Sequence, residues 1–142
     1  ADAYKHSTTL SELAPAAYQR AIMLAQQHMQ INPSDAFAVA ALGHYFACTG
    51  QRKEALENIA LARQLAKNDM MVYYFSATAL SALGEREQAL DAARIALSLG
   101  YPPHMVEADV GLSSLKDLTD YNAVLSGEPH QYTNLTDKEN GQ

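Results

Sequence analysis

Apolar residues recur along this chain with the period of an α-helix. In 36–48 they are spaced as i, i+3, i+6 and i+7, and they are Val39, Leu42, Tyr45 and Phe46. A second stripe, in 53–66, consists of Ala55, Leu56, Ile59, Ala62 and Leu65. Period-two alternation and β-branched clusters, which indicate strands, do not occur. The pattern predicts an all-α protein of short amphipathic helices.

The stripes repeat every 34 residues. Superposing 36–69 on 70–103 gives identical pairs at Gly50/Gly84, Arg52/Arg86, Ala55/Ala89, Leu56/Leu90, Ala62/Ala96 and Leu65/Leu99. One period earlier, Ala21, Ile22 and Ile31 align with Ala55, Leu56 and Leu65. A fixed period of this length is typical of repeat architectures. We therefore predict three units, at about 2–35, 36–69 and 70–103.

Each unit is expected to form two helices joined by a tight turn. Gly50 and Gly84 can adopt the positive φ that ends a helix and reverses the chain. In the first unit Ala14-Pro15 occupies the turn, which predicts helices at 4–13 and 15–31 with Pro15 opening the second one. Alanines at 55, 62, 89 and 96 would let paired helices approach closely.

The period decays after Pro103. Pro103 can open a brief helix through Asp109, and "LSSLKD" and "TDYNAVL" indicate short capping helices. We predict one domain over 1–125, with a cap at 104–125 that could also be a degenerate fourth unit. The polar, aperiodic segment 126–142 is predicted to be disordered.

Composition narrows the classes of partner. The formal net charge is −6, the pI is near 5.2 and no basic block occurs, which argues against nucleic acid. No apolar run approaches the roughly 20 residues of a membrane span. Cys48 is the single cysteine, which excludes an internal disulfide and favours a cytoplasmic location. The missing initial Met is consistent with a processed chain or a fragment.

Candidate chemistry is sparse. His44 and Cys48, four residues apart, share a helical face, as a metal-ligand pair or a Cys–His nucleophile would. Zinc needs three or four ligands, however, and no further histidine has a suitable spacing. Phosphate loops, HExxH and GxSxG are missing from the sequence. We therefore expect no catalytic residues, no metal and no cofactor.

The 34-residue helix–turn–helix period, "ALG" at 41–43, Gly50, Ala55 and Ala62 resemble the tetratricopeptide repeat. The family pattern departs here at Val39, where tryptophan is usual, and at Lys67, where proline is usual. The likeness covers about 2–103. It implies a helical solenoid of three repeats with C-terminal capping helices.

The resemblance also implies a concave groove lined by the first helix of each unit. Its residues would be Phe37, Ala40, His44 and Ala47 in the middle unit, and Met71, Tyr74, Thr78 and Ser81 in the third. His6 and Leu10 would line it in the first unit. These positions lack the Lys, Arg and Asn with which family members clamp a carboxylate, so an acidic peptide tail is disfavoured. The alternative is that Phe37, Met71 and Tyr74 pack against neighbouring helices.

Three functions remain open on this evidence. The first is a non-enzymatic protein-interaction module, or scaffold, that binds a peptide or partner domain in the groove. The second function is implied by a narrower resemblance. Segments 31–50 and 96–117 resemble the repeat tails of bacterial regulators, serine/threonine kinases among them. The chain would then be the regulatory C-terminal part of a larger kinase or transcriptional regulator. The third is a self-assembly module that forms a homodimer.

Overall fold

The computed structural model describes the backbone of residues 2–127 and the side chains of residues 15–127. All regular secondary structure in this part of the chain is helical and no strand occurs in it, so the all-α prediction is confirmed. The helices are α1 (Asp2–Ile31), α2 (Ala36–Cys48), α3 (Arg52–Leu65), α4 (Met70–Ala82), α5 (Arg86–Ser98), α6 (Pro103–Ala108), the 3₁₀-helix η1 (Val110–Leu115) and α7 (Tyr121–Ser126). Most of the predicted tail, 128–142, lies outside the described residues.

The same start and stop signals shape two successive hairpins, α2–α3 and α4–α5. Asp35 caps α2 by accepting a hydrogen bond from the Ala38 amide at 3.2 Å, and Asp69 caps α4 by accepting one from the Met71 amide at 2.9 Å. The two aspartates are 34 residues apart, so they belong to the repeat. Gly50 and Gly84 end the first helices with φ of 77° and 83°. That conformation is open to glycine at little cost, and it turns the chain into the second helix.

Small residues set the distance between the helices of each hairpin. Ala55, Ala62 and Ala89 are fully buried, and Ala96 is 1% exposed. A methyl group added at Gly43 of α2 would lie 3.1 Å from Ile59 Cγ1 and 3.3 Å from the Ala55 carbonyl oxygen. The close approach expected at the alanines is therefore present, and in α2–α3 it also depends on Gly43.

The helices stack in chain order. Besides the two hairpin pairs, α2 packs against α4, and α1 packs against α2. Arg52 donates to the Leu83 carbonyl at 3.4 Å and pairs with Glu85 at the turn of the following hairpin. One period later, Arg86 donates to the Ser114 carbonyl at 3.2 Å and pairs with Asp117. Each arginine thus links its own unit to the next one.

The first unit differs from its prediction. The backbone continues as one helix from Asp2 to Ile31 with Pro15 inside it, so the turn at Ala14-Pro15 and the separate helices 4–13 and 15–31 are wrong. Proline removes one backbone hydrogen bond but holds φ near a helical value. No glycine is present there to take the positive φ that reverses the chain.

The second helices are not buried equally. Leu56 and Leu65 of α3, assigned to the buried stripe from the sequence, remain 36% and 39% exposed, whereas Leu90 of α5 is 8% exposed. The reason is the C-terminal cap formed by α6, η1 and α7. Its buried side chains join the core of the α4–α5 hairpin, and they are Val106, Leu112, Leu115, Tyr121 and Val124. Helix α3 contacts α4, but Leu56 and Leu65 stay partly exposed.

Candidate functional site

A pocket of about 300 Å³ opens between α1, α2, α4 and the start of the cap; we call it the His44 pocket. Its walls are three aromatic side chains, four polar ones and two small residues. They are Tyr18, Tyr74 and Phe75, then His44, Cys48, Thr78 and Asp109, then Ala82 and Gly111. Side chains from elements far apart in sequence therefore converge on one concavity.

His44 joins equivalent positions of two successive units. Its Nδ1 lies 2.9 Å from the hydroxyl oxygen of Thr78, exactly one 34-residue period later in the chain. The Thr78 hydroxyl in turn donates to the Phe75 carbonyl at 2.9 Å. A hydroxyl has one proton to donate, so Thr78 accepts from Nδ1 of His44 whenever it donates to the Phe75 carbonyl.

The His44 side chain is neutral at physiological pH. Burial lowers its pKa below the ordinary value of 6.5, and the Asp109 carboxylate, which acts in the opposite direction, only reduces this shift. Nε2 of the ring lies 3.7 Å from the Cys48 sulfur. His44 therefore contributes a polar edge to the pocket without contributing a charge.

Asp109 brings a carboxylate to the pocket. It caps η1, with Oδ1 accepting a hydrogen bond from the Gly111 amide at 2.8 Å, and Oδ2 accepts one from the Tyr74 hydroxyl. Burial and the Asp109 carboxylate both raise the pKa of Tyr74, so its hydroxyl keeps the proton that it donates. The two bonds fix the orientation of the carboxylate relative to α4.

A row of aromatic rings runs from α1 across α2 and α4 to the segment that follows α5. Ring centroids are separated by 6.3 Å between Tyr18 and His44, 5.9 Å between His44 and Phe75, and 5.5 Å between Phe75 and Tyr74. The row ends with Tyr74 stacked on Tyr101 at 4.6 Å. Contacts of this kind hold the walls of the pocket in fixed positions.

Eight residues of the middle and third units were predicted to line a groove, and their surroundings in the structure differ. His44, Tyr74 and Thr78 line the pocket. Phe37 is 49% exposed beside it, with its ring edge-on to Phe75 at 5.3 Å.

The remaining four face other parts of the protein. Ala40 and Ala47 are buried in helix interfaces, at 0% and 4% exposure, and offer no binding surface. Met71 packs against the core of the third unit. Ser81 donates to the Gly111 carbonyl at 2.7 Å, so the cap engages it. The side chains of His6 and Leu10 lie outside the described residues.

Five residues of the pocket were not identified from the sequence: Tyr18, Phe75 and Asp109, and the small residues Ala82 and Gly111. Tyr18 comes from the first unit, whose continuous helix was predicted as two. Asp109 has a signal that could have been recognised, because Asp35, Asp69 and Asp109 each precede a helix as its N-cap. The contact of Asp109 with α4, however, depends on how the cap folds back.

The Cys48 thiol is not activated by its surroundings. Burial raises its pKa, and the hydrogen bond with Tyr18 only reduces that shift. A protonated thiol is a weak nucleophile. Among the described residues, no three His, Cys, Asp or Glu side chains are grouped so that they could hold a metal ion.

Searches against protein-family models, curated proteins and solved structures find no match to this chain. Within residues 2–127, no helix has both the length and the apolar character that crossing a membrane requires.

Proposed function

We propose that this chain is a non-enzymatic protein-interaction module. In this proposal α2–α3 and α4–α5 are tetratricopeptide-like repeats of a helical solenoid, α1 belongs to the first repeat, and α6, η1 and α7 cap the C-terminal end. The groove beside α2 and α4 holds a peptide or a partner domain, without a cofactor. The negative net charge favours a protein partner over nucleic acid.

The observation that carries the proposal is the composition of the His44 pocket. His44 and Thr78 are one period apart, as are Cys48 and Ala82, and all four line the same concavity. A solenoid aligns equivalent positions of its repeats along one surface, which is how such proteins form extended binding faces. The residues at these equivalent positions differ between the repeats, and in this proposal those differences determine which ligand the pocket binds.

The surroundings of the pocket suit a peptide with apolar anchors. The half-exposed Phe37 ring adjoins Phe75, and Tyr18 and Tyr74 add aromatic walls. Aromatic side chains in partly desolvated pockets contribute most of the energy at many protein interfaces. We therefore expect an extended or helical segment to bury Phe37 when it binds.

A selection from phage-displayed random dodecapeptides tests this function. Peptides selected on the full chain should bind the Phe37→Ala/His44→Ala double variant at least about tenfold more weakly in fluorescence polarisation, since hot-spot truncations cost about 2 kcal/mol or more. Leu61→Ala is the matched control, because Leu61 is a 40% exposed apolar side chain on α3, outside the pocket.

Circular dichroism must give the same helicity for both variants and the wild type. If the selected peptides bind the folded double variant as tightly as the wild type, the groove is not the binding site. A selection that yields no specific peptide argues against the peptide-binding function itself.

The second candidate function is self-assembly, and the exposed apolar side of α1 favours it. Met23, Leu24 and Ile31 are 59%, 60% and 85% exposed. Such side chains are common at homodimer interfaces. Sedimentation velocity over a concentration series distinguishes the functions: a dimer disrupted by Met23→Ser/Ile31→Ser supports self-assembly, whereas a monomer at all concentrations excludes it.

A further inference from the structure

The His44 pocket carries an uncompensated negative charge. Among the nine described residues that line it, Asp109 is the one carboxylate, no Lys or Arg is present, and burial disfavours the charged form of His44. The ion pairs found in the described part of the chain use His28–Asp35, Arg52–Glu85, Arg86–Asp117 and Arg94–Asp91. Asp109 has no such partner among these residues, although it faces a concavity where the field of a charge is less screened than at an open surface.

The Asp109 carboxylate is held in place by hydrogen bonds, but it can accept more of them. The Tyr74 hydroxyl and the Gly111 amide each donate one hydrogen bond, to different carboxylate oxygens. A carboxylate oxygen can accept two hydrogen bonds, so both retain a free lone pair. The group is therefore oriented for a further donor, and a cationic donor makes the strongest bond of this kind.

The walls around the carboxylate suit a planar cation. Tyr18, Tyr74 and Phe75 present aromatic surfaces in the same pocket. A guanidinium group stacks on aromatic rings and donates in a fork that matches a carboxylate, whereas an ammonium is a more strongly hydrated point charge. Aromatic walls with one carboxylate are thus more complementary to arginine than to a neutral or acidic side chain.

The volume fits one side chain. The pocket measures about 300 Å³, close to the lower end of the range for small-molecule sites. It is too small for a folded partner and adequate for the end of a long side chain.

We propose that the His44 pocket binds the guanidinium group of an arginine in the partner peptide, between the aromatic walls and the Asp109 carboxylate. The inference rests on the proposed function, since it supplies the specificity of the same groove. Arginine is the anchor in the pocket, and Phe37 contacts an adjoining apolar residue of the peptide.

The first test compares two probes of the same shape that differ in charge. N-acetyl-L-arginine amide is titrated into the full-length ¹⁵N-labelled chain, and N-acetyl-L-citrulline amide, in which a neutral urea replaces the guanidinium, serves as the control. We expect the arginine probe to shift the amides of Thr78 and Gly111 saturably, with an affinity at least about tenfold higher than that of citrulline. Equal affinities, or no shift with arginine, would overturn the proposal.

The second test removes the charge with little change of shape. Asp109→Asn retains an oxygen that can accept from the Gly111 amide, so the cap of η1 is preserved. Glu107→Gln is the matched control, because it removes one negative charge two residues away, on α6 and outside the pocket. The arginine probe should lose about tenfold in affinity with Asp109→Asn and bind Glu107→Gln like the wild type.

Equal losses of affinity in both variants would mean that only the overall charge of the protein matters. An unchanged affinity of Asp109→Asn would show that the carboxylate does not bind the probe. Either result overturns the proposal. If Asp109→Asn does not fold, the comparison of the arginine and citrulline probes on the wild type still tests the proposal. Selected dodecapeptides that depend on Phe37 and His44, together with an arginine probe that does not bind, would sustain the proposed function and refute this inference.

Discussion

The α2–α3 and α4–α5 hairpins begin, turn and pair in the same way, yet their outer surfaces differ. Both have an aspartate N-cap, a glycine of positive φ in the turn and buried alanines in the seam, which is the interface between the two helices of the hairpin. Leu56 and its equivalent Leu90, however, are 36% and 8% exposed. Identical residues at identical repeat positions therefore lie in different environments, because burial depends on the neighbouring unit.

The neighbour responsible is the C-terminal cap. It covers the third unit through Leu112 and Leu115, and it engages Tyr74 and Ser81 on the other side of α4. The middle unit is covered instead by α4, which packs against both α2 and α3, and Phe37 stays half exposed. The His44 pocket lies where α1, α2 and α4 meet the junction of α6 and η1.

The largest loss of stability is expected from truncating a residue of the cap that packs on the α4–α5 hairpin. Leu112 is fully buried in the core that η1 shares with α4 and α5, so Leu112→Ala should destabilise the protein by about 2–5 kcal/mol. Val110→Ala, in the same 3₁₀-helix at 85% exposure, should change stability by less than about 0.5 kcal/mol. Urea denaturation measures both. Similar values for the two variants would mean that the cap does not belong to the core.

A smaller effect is expected where the two hairpins differ in their seams. Gly43 in α2 corresponds to the buried Ala77 in α4, and an added methyl at Gly43 would crowd Ile59 and the Ala55 carbonyl. Overpacking costs about 1–3 kcal/mol, against a gain in helix propensity of about 1 kcal/mol. Gly43→Ala should therefore be destabilising by about 1 kcal/mol.

Ala77→Gly is the reciprocal variant, and the loss of helix propensity should also cost about 1 kcal/mol. Differential scanning calorimetry compares the two. An increase in melting temperature for Gly43→Ala would show that Ile59 can move aside and that the seams are equivalent.

The N-caps of α2 and α4 test the shared part of the comparison. Asp35→Ala and Asp69→Ala should each cost about 1 kcal/mol near neutral pH. The hydrogen bond from His28 Nε2, at 2.7 Å, and that from the Ala38 amide lower the pKa of Asp35 below its ordinary 3.8. The ionised form is thus the stabilising one.

The Asp35 contribution should accordingly be complete above about pH 4 and be lost as the pH falls through the lowered folded-state pKa. Unfolding curves measured between neutral and acidic pH should therefore converge for the wild type and Asp35→Ala. A difference that persists undiminished at the acid end would contradict the role assigned to the carboxylate.

The smallest effects should come from the arginines that link the units. Arg52→Ala and Arg86→Ala each remove an exposed ion pair with the next unit, which is worth at most about 1 kcal/mol and weakens with salt. The two losses should be similar, because Arg86 is less exposed than Arg52, at 38% against 52%, but its partner Asp117 is more exposed than Glu85, at 77% against 35%. Chemical denaturation at low and high salt checks this. Salt-independent losses would indicate a packing role for the arginine stems instead.

Much of the fold could be predicted because its determinants are local. Gly50 and Gly84 specify turns through their own backbone freedom, and the stripes of Val39, Leu42 and Phe46 specify a buried helical face. The first unit was mispredicted because Pro15 is compatible with two local structures, an opened helix and a continuous one, and the choice depends on context.

The site was predictable only in part. His44, Tyr74 and Thr78, which line the pocket, were expected to face a groove from the family resemblance alone. Ala40 and Ala47 were expected there for the same reason but are buried in the interfaces of α2 with its neighbours. Asp109 is 35 residues from Tyr74, and no local pattern predicts that they form a hydrogen bond.

The sequence by itself determined the helices, their hairpin pairing and the 34-residue period, because hydrophobic periodicity and glycine conformation act over a few residues. Only the tertiary structure decided which leucines are covered, that α1 is continuous, and that Tyr18 and Asp109 meet His44 at one pocket. The physical reason is that burial and charge compensation are properties of the neighbours a residue acquires on folding, and those neighbours come from distant parts of the chain.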